Sequence, residues 1–515
     1  MVSLRSPARG EWARGAFWLT AFGLLGFKLV LSALLPFTGD EAYFYYWGVQ
    51  PDWGFYDHPP MIGWWLALMQ TISHAEWVQR LPITLLPLPL AGVAWWLTRG
   101  SGRSREHAWL AALVVLLAPV HVWAVFITTD TPLIFFSFLS VAAYVVAVRQ
   151  RSLLWHALAG LALGLAFLSK YFSFFLGVAF LAHVFLVRRD ATRWRDFAVL
   201  VLCALPGPAI NIGWNIDHCW ANLMFNVYNR HEGAGWSWRT PLLYGASLLY
   251  VLSPFALMAA LRHGHAARAA MRSADEAGTL FWLALVPFGL FGMLSLVKVI
   301  GLHWLLSFVP VFLLGVAFIL AEDALRRLVR WLIGFAVLQV VVIAVLLAIP
   351  LSAWNKTSAF PGLVLTLRAP DLLAHIKPYE NDYVYASDGY SNAVTLGYNA
   401  GRYFFVFGPG SSHARHDDLM FDLRPLDGKN ILILRKRAPQ PGEYAPYFRS
   451  VTEETFEVEG ARFWMIRGQG FDFAHYRQTV LRDIRDRWYR LPGYLPTRHC
   501  YFCERYFPEE PWPTR

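Results

Sequence analysis

Asp40 and Glu41 stand together where the first long apolar run ends, and Tyr56-Asp57-His58-Pro59-Pro60 follows within the same polar segment. Carboxylates and an imidazole gathered in so short a stretch can take up protons, bind cations or orient hydroxyls. Asp40, with Glu41 beside it, is the candidate general base. A positioned carboxylate can accept the proton that a hydroxyl must lose as its oxygen forms a new bond. The plainer reading of Asp40 is a carboxylate that flanks or caps a helix. Asp57 and His58, together with His231 or Glu41, are candidate ligands for a divalent cation, since oxygen and imidazole donors suit zinc or manganese. A hydrogen-bonded turn before Pro59-Pro60 is the other reading of Asp57 and His58.

Further polar residues sit at the ends of apolar runs. Lys170, in Leu168-Ser169-Lys170-Tyr171, and Arg230 are candidates to neutralise a departing phosphate. Asp130, after Thr128-Thr129, and His303, in Leu302-His303-Trp304, are candidates for substrate binding. Each has an alternative. Lys170 can be a lysine snorkelling to the interface, Arg230 a surface arginine and His303 an interfacial histidine. Asp130 can cap the helix expected to begin near Pro132.

The elements that must position these groups are membrane helices. The chain has 515 residues, 56% of them hydrophobic and 16% aromatic, which excludes an ordinary soluble domain. About 20 helical residues cross a bilayer core, and roughly eleven apolar runs of that order lie before Pro350. The first of them lacks a convincing cleavage site and is expected to be a retained anchor. The net charge of +10 does not point to nucleic acid, because the basic residues cluster in alternate short loops. Arg103 and Arg105, Arg188 and Arg189, and Arg326 and Arg327 are examples. The positive-inside rule puts those loops and the N-terminus in the cytoplasm. Residues 37–79 carry no lysine or arginine and belong on the far side, and an odd number of spans sends the C-terminal region there too. Within that segment, 41–48 and 61–72 read as two helices lying along the membrane surface.

Residues 1–350 are therefore expected to form one transmembrane domain, and 351–515 a small α/β domain outside the membrane. In the latter, 382–387, 402–408 and 430–435 read as strands. Residues 476–490 read as an amphipathic helix with Val480, Ile484 and Trp488 on one face. Cys500 and Cys503 form a C-x-x-C pair, expected to close a local disulfide in an oxidising compartment.

The run Thr38-Gly39-Asp40-Glu41-Ala42-Tyr43-Phe44-Tyr45-Tyr46-Trp47, followed by Tyr56-Asp57-His58-Pro59-Pro60-Met61, resembles the first outer loop of bacterial polyprenyl-phosphate-sugar glycosyltransferases. These are relatives of protein O-mannosyltransferases and of the aminoarabinose transferase of lipid A. Thr128-Thr129-Asp130-Thr131-Pro132 and Gly164–Tyr171 match further family segments in order and spacing. The resemblance covers about residues 10–350. It implies a GT-C-type multi-helix fold in the bacterial inner membrane, with the active site on the periplasmic face. It also implies an inverting transfer from a polyprenyl (undecaprenyl) phosphate donor to a lipid A, polysaccharide or protein acceptor. The family's acidic residue in this loop falls on Asp40. Where the aminoarabinose transferase has Glu-Lys-Pro, this chain has Asp57-His58-Pro59, which leaves the sugar and any metal site open. The competing class is a transporter or flippase of a lipid-linked sugar. Transporters place ionisable groups at the midplane of repeated halves, and no internal repeat is visible here.

Overall fold

A computed structural model of the protein describes residues 12–229 and 235–514. The chain forms two compact units. One comprises residues 1–34, 71–210 and 233–346, the other 35–70, 211–232 and 347–515. Two loop segments that lie within the first 350 residues thus pack with the C-terminal region.

The first unit is helical. Among the described residues, six helices are long and apolar enough to cross a membrane: Trp12–Leu34, Leu81–Gly100, Asp130–Gln150, Arg193–Ile216, Glu276–Leu294 and Glu322–Ala348. Arg239–Val251 and Pro254–Arg262 make a seventh if the 90° bend between them is one broken span. The bend has a local cause. Ser253 holds a left-handed φ of 64°, Pro254 opens the next helix, and the Ser253 hydroxyl accepts from the amide of Phe255. The expected eleven spans are thus not eleven long helices. Pro119 splits the run at 107–126 into Arg105–Leu116 and Pro119–Trp123, and 302–320 divides into a 3-10 segment and Val309–Ile319.

Close packing depends on small residues. A Cβ on Gly160 would lie 2.1 Å from the carbonyl oxygen of Leu200, and one on Gly164 2.7 Å from that of Ala204. This is the spacing that lets membrane helices approach backbone to backbone. The basic loops are tied to one another: Arg326 pairs with Glu106 at 3.0 Å, and Arg103 donates to the carbonyl of Phe318 at 2.6 Å. The Glu322–Ala348 helix leaves Val337, Leu338, Val341 and Val345 about half exposed, as a face turned to lipid requires.

The second unit is built on a five-stranded sheet. β1 (Val384–Ser387), β2 (Phe405–Val406), β3 (Ile431–Arg435), β4 (Phe448–Val458) and β5 (Ala461–Phe471) lie in the order β2-β1-β3-β5-β4. β1 runs parallel to both β2 and β3, with Ala386 opposite Phe405 and Val384 opposite Ile431. β3–β5 and β4–β5 are antiparallel. All of β3 is buried, because apolar layers cover both faces of the sheet there. The strands expected at 382–387, 402–408 and 430–435 appear in shortened form. The expected C-terminal helix is present as Phe473–Tyr476, a π turn and Arg482–Trp488, and it buries Val480, Ile484 and Trp488.

The expected Cys500–Cys503 disulfide is not formed. Cys500 pairs with Cys219, and Cys503 is a free, buried thiol. The reason is the path of residues 216–219, which run along 498–500. The amide of Arg498 donates to the carbonyl of Ile216 at 3.0 Å, and that of Cys219 to the carbonyl of His499 at 3.1 Å. Cys503, one turn into the Tyr501–Tyr506 helix, faces the core, and burial pushes its thiol up to about 12.

Candidate active site

The first candidate cluster is in the second unit. Its central helix, Gly39–Val49, starts with a capping box: the amide of Glu41 donates to the Thr38 hydroxyl at 3.3 Å, and the Glu41 carboxylate accepts from the Thr38 amide at 3.0 Å. Glu41 is fully buried and its carboxylate helps to fix the helix start, whereas Asp40, one residue earlier, points to solvent. Gly39 lets this turn meet the Tyr390–Ala400 helix, since a Cβ there would lie 2.1 Å from the Ser391 hydroxyl. That close approach brings the hydroxyl of Tyr390 to Oδ1 of Asp40, a donated hydrogen bond of 3.0 Å. Burial first, then the Asp40 charge, hold the Tyr390 phenol well above its ordinary pKa, so it stays a donor.

A second carboxylate lies close by. The hydroxyl of Tyr43 donates to Oδ1 of Asp57 at 3.1 Å, and the Tyr43 and Tyr390 rings meet edge to face at 5.5 Å. Burial and the Asp57 charge keep the Tyr43 phenol protonated. The loop carrying Asp57 is held by the 211–229 segment. Asn222 donates to the carbonyl of Phe55 at 2.7 Å, Asn226 to that of Asp57 at 2.9 Å, and Trp214 to the Asp52 carboxylate at 2.9 Å. The ring of His58 lies against Phe44 and Trp47. His231 and Arg230 lie outside the described residues. Among the described residues no three His, Cys, Asp or Glu side chains gather as a metal site would require.

Beneath this cluster is a buried polar layer. His416 is enclosed by the rings of Tyr43, Trp47 and Phe55, and both its nitrogens lack a hydrogen-bond partner. Burial pushes it down to about 3, so it is neutral. Burial raises its neighbour Asp417 to about 7, although the Tyr403 hydroxyl and the Val406 amide donate to it. Arg415 pairs with Asp418 at 3.0 Å, and Tyr489 donates to the same carboxylate at 2.8 Å.

The second candidate cluster is in the helical unit. Lys170 and Asp130 form a buried ion pair with contacts of 2.8 and 2.9 Å. The alternative reading of Asp130 as a helix cap does not hold. This residue is the first of Asp130–Gln150, and the capping position falls to Thr129. Asp130 and His303 line a cavity of about 110 Å³ that also takes in Lys28, His121 and Thr128. Lys28 donates to the carbonyl of Ile83 at 2.8 Å. His121 bonds the carbonyl of Val115 through Nδ1, and its Nε2 is buried without a partner.

The model of the dolichyl-phosphate-mannose-protein mannosyltransferase family matches residues 57–214. A lipid A galacturonosyltransferase, RgtD of Rhizobium johnstonii, is 30% identical over 203 residues, which make up 38% of this chain and 43% of that protein. The match thus spans less than half the length of the curated relative. Among solved structures, ArnT from Cupriavidus metallidurans bound to undecaprenyl phosphate superposes with a TM-score of 0.61 at 15% identity, over 88% of this chain and 98% of that one. The apo form of the same protein gives 0.59 at 17% identity. The chain has the GT-C membrane fold. The likeness expected from the first outer loop is borne out, as is the multi-pass membrane character.

Within this GT-C fold, Lys28, His121, Tyr390 and His416 were not among the residues singled out from the sequence. Lys28 had a legible signal, since an ionisable residue inside an apolar span is a functional candidate by default. His121, between two apolar runs, carried the same signal more weakly. Tyr390 had none, because only the close approach at Gly39 brings it to Asp40.

Proposed function

We propose that the protein is an inverting glycosyltransferase that moves a sugar from a polyprenyl phosphate to a hydroxyl of a lipid A or related envelope glycan acceptor. The exposed Asp40 carboxylate, oriented by the Tyr390 hydroxyl at 3.0 Å, carries this reading. In the step proposed, the acceptor oxygen bonds to the anomeric carbon as its proton passes to Asp40. The bond from that carbon to the phosphate oxygen breaks, and the polyprenyl phosphate leaves with the electron pair. A single displacement inverts the anomeric centre. The departing phosphate needs positive charge rather than an acid. Lys170 is a candidate to supply it by its residue type. Arg230 remains a candidate by its residue type. The undecaprenyl phosphate in the ArnT crystal and the lipid A named for RgtD support the donor and acceptor classes.

A disulfide between Cys219 and Cys500 is at home in an oxidising compartment, which supports a periplasmic location for the second unit. The test is sugar transfer by the purified protein in proteoliposomes, with a panel of polyprenyl-phosphate sugars and a lipid A extract, wild type beside Asp40→Asn. Transfer by the wild type that collapses in the folded variant is the expected result. Transfer that persists in Asp40→Asn would overturn the assignment of the base, and no transfer from any donor would overturn the reaction class.

A further inference from the structure

The second unit holds a cleft of about 510 Å³, within the usual range of small-molecule sites, that the transfer step does not use. It opens at the carboxyl ends of the three parallel strands. From β1 the chain crosses through the Tyr390–Ala400 helix to β2, then returns past β1 to pair β3 on its other side. The two crossovers thus place their strands on opposite sides of β1, and the carboxyl ends of strands in open α/β sheets are where ligands bind. Residues 388–392 after β1, 407–411 after β2 and 435–447 from the end of β3 form its walls. Gly408 and Gly410 hold left-handed φ values of 94° and 56°, a path other residues rarely take.

The lining fixes the class of ligand. Two carboxylates, Asp388 and Glu443, are balanced by two cations, Arg435 and Lys436. A bare phosphate would meet as much repulsion as attraction. Arg435 is buried and acts as a strut: it donates to Glu443 at 2.8 Å and to the Tyr444 hydroxyl at 2.6 Å, and its Nε lies 3.4 Å from Asp388. Acceptors are thereby held on both sides of the cleft. Tyr390, Tyr444 and Tyr447 add aromatic surface. Interspersed donors and acceptors beside aromatic rings suit a polyhydroxylated ring, which presents hydroxyls at its edge and C–H bonds on its faces.

We propose that this cleft is a saccharide-binding subsite with room for roughly one or two pyranose rings. Tyr390 lines it and also donates to Asp40, so a sugar seated there bears on the candidate base. Its role as an acceptor subsite rests on the transfer reading; the binding does not, and is tested without turnover. Full-length protein in detergent is titrated with galactose, maltose and diacetylchitobiose, and separately with inorganic phosphate, by saturation-transfer NMR. Ser411→Trp fills the cleft, and Tyr447→Ala removes a ring from it. At least one neutral saccharide is expected to bind, about tenfold more weakly to each variant that retains the wild-type melting temperature. Asp40→Asn is expected to bind it about as well as wild type, so loss of the transfer reading leaves the subsite standing. No saccharide binding, binding unchanged in both variants, or binding of phosphate alone would overturn the proposal.

Discussion

Tyr390 donates its phenolic hydrogen to Oδ1 of Asp40 at 3.0 Å, joining residues 350 positions apart in sequence. A tyrosine kept protonated by burial orients the carboxylate and, in the proposed transfer, leaves its second oxygen to meet an acceptor hydroxyl. Asp40→Asn is expected to lower transfer by about 10²–10⁴, the usual worth of a positioned base. Tyr390→Phe keeps the ring and removes one hydrogen bond to a charged group at a partly exposed site. It is expected to lower kcat about tenfold, toward the low end of such bonds. Steady-state transfer rates across pH test both. A Tyr390→Phe enzyme with wild-type kcat at every pH would remove Tyr390 from the reaction.

The Lys170–Asp130 pair is buried on both sides, with side chains 8% and 5% exposed. Removing Asp130 takes a carboxylate partner from a buried ammonium. Asp130→Ala is expected to destabilise the helical unit by about 3–5 kcal/mol, whereas Lys170→Met with Asp130→Leu recovers most of that loss. Thermal unfolding in detergent reads both. Equal damage from single and double variants would mean that the two charges do not depend on each other.

Cys219 and Cys500 close a bridge over 281 residues of sequence, while Cys503 stays reduced in the core. Peptide mapping without reductant is expected to recover the 219–500 crosslink and an alkylatable Cys503 after unfolding. The paired change Cys219→Ala, Cys500→Ala is expected to cost about 2–4 kcal/mol, and Cys503→Ala to leave the bridge intact. A Cys500–Cys503 crosslink in the map would reverse the assignment.

The sequence made the membrane class, the first outer loop and the parallel strands legible because each has a strong local pattern. Apolar length marks the spans, and the apolar run Ile431-Leu432-Ile433-Leu434 marks a strand buried on both faces. The β4–β5 hairpin was missed although Glu459-Gly460 sits at its turn with both φ positive, at 51° and 81°. β4 is polar on its outer positions and lacks the apolar density of the other strands. The Cys219–Cys500 bridge, the Tyr390–Asp40 contact and the Arg435 strut depend on approaches between distant segments. Residue types alone carry no record of those. The C-x-x-C spacing favoured the wrong partner because proximity in sequence was the only geometry to hand.

His416 and Asp417 are adjacent, buried and shifted in opposite senses. Burial holds His416 at about 3 against an ordinary value of 6.5. Below about pH 6.5 the unfolded chain takes up this proton and the folded chain does not, so stability falls with acidification by up to about 1.4 kcal/mol per pH unit. Burial raises Asp417 from 3.8 to about 7. Between about pH 4 and 7 the folded chain keeps a proton that the unfolded chain has lost. That contribution is full below about pH 4 and disappears as pH rises to about 7. The two slopes oppose each other and largely cancel between about pH 4 and 6.5. Asp417→Asn should therefore leave the histidine slope alone, and the variant should lose stability relative to wild type on going from pH 7 to pH 5. His416→Phe should leave the carboxylate slope alone and gain stability over the same change. Melting temperatures at the two pH values, each referred to wild type, decide it. Two variants that follow the wild-type pH dependence would show that neither group titrates as its burial demands.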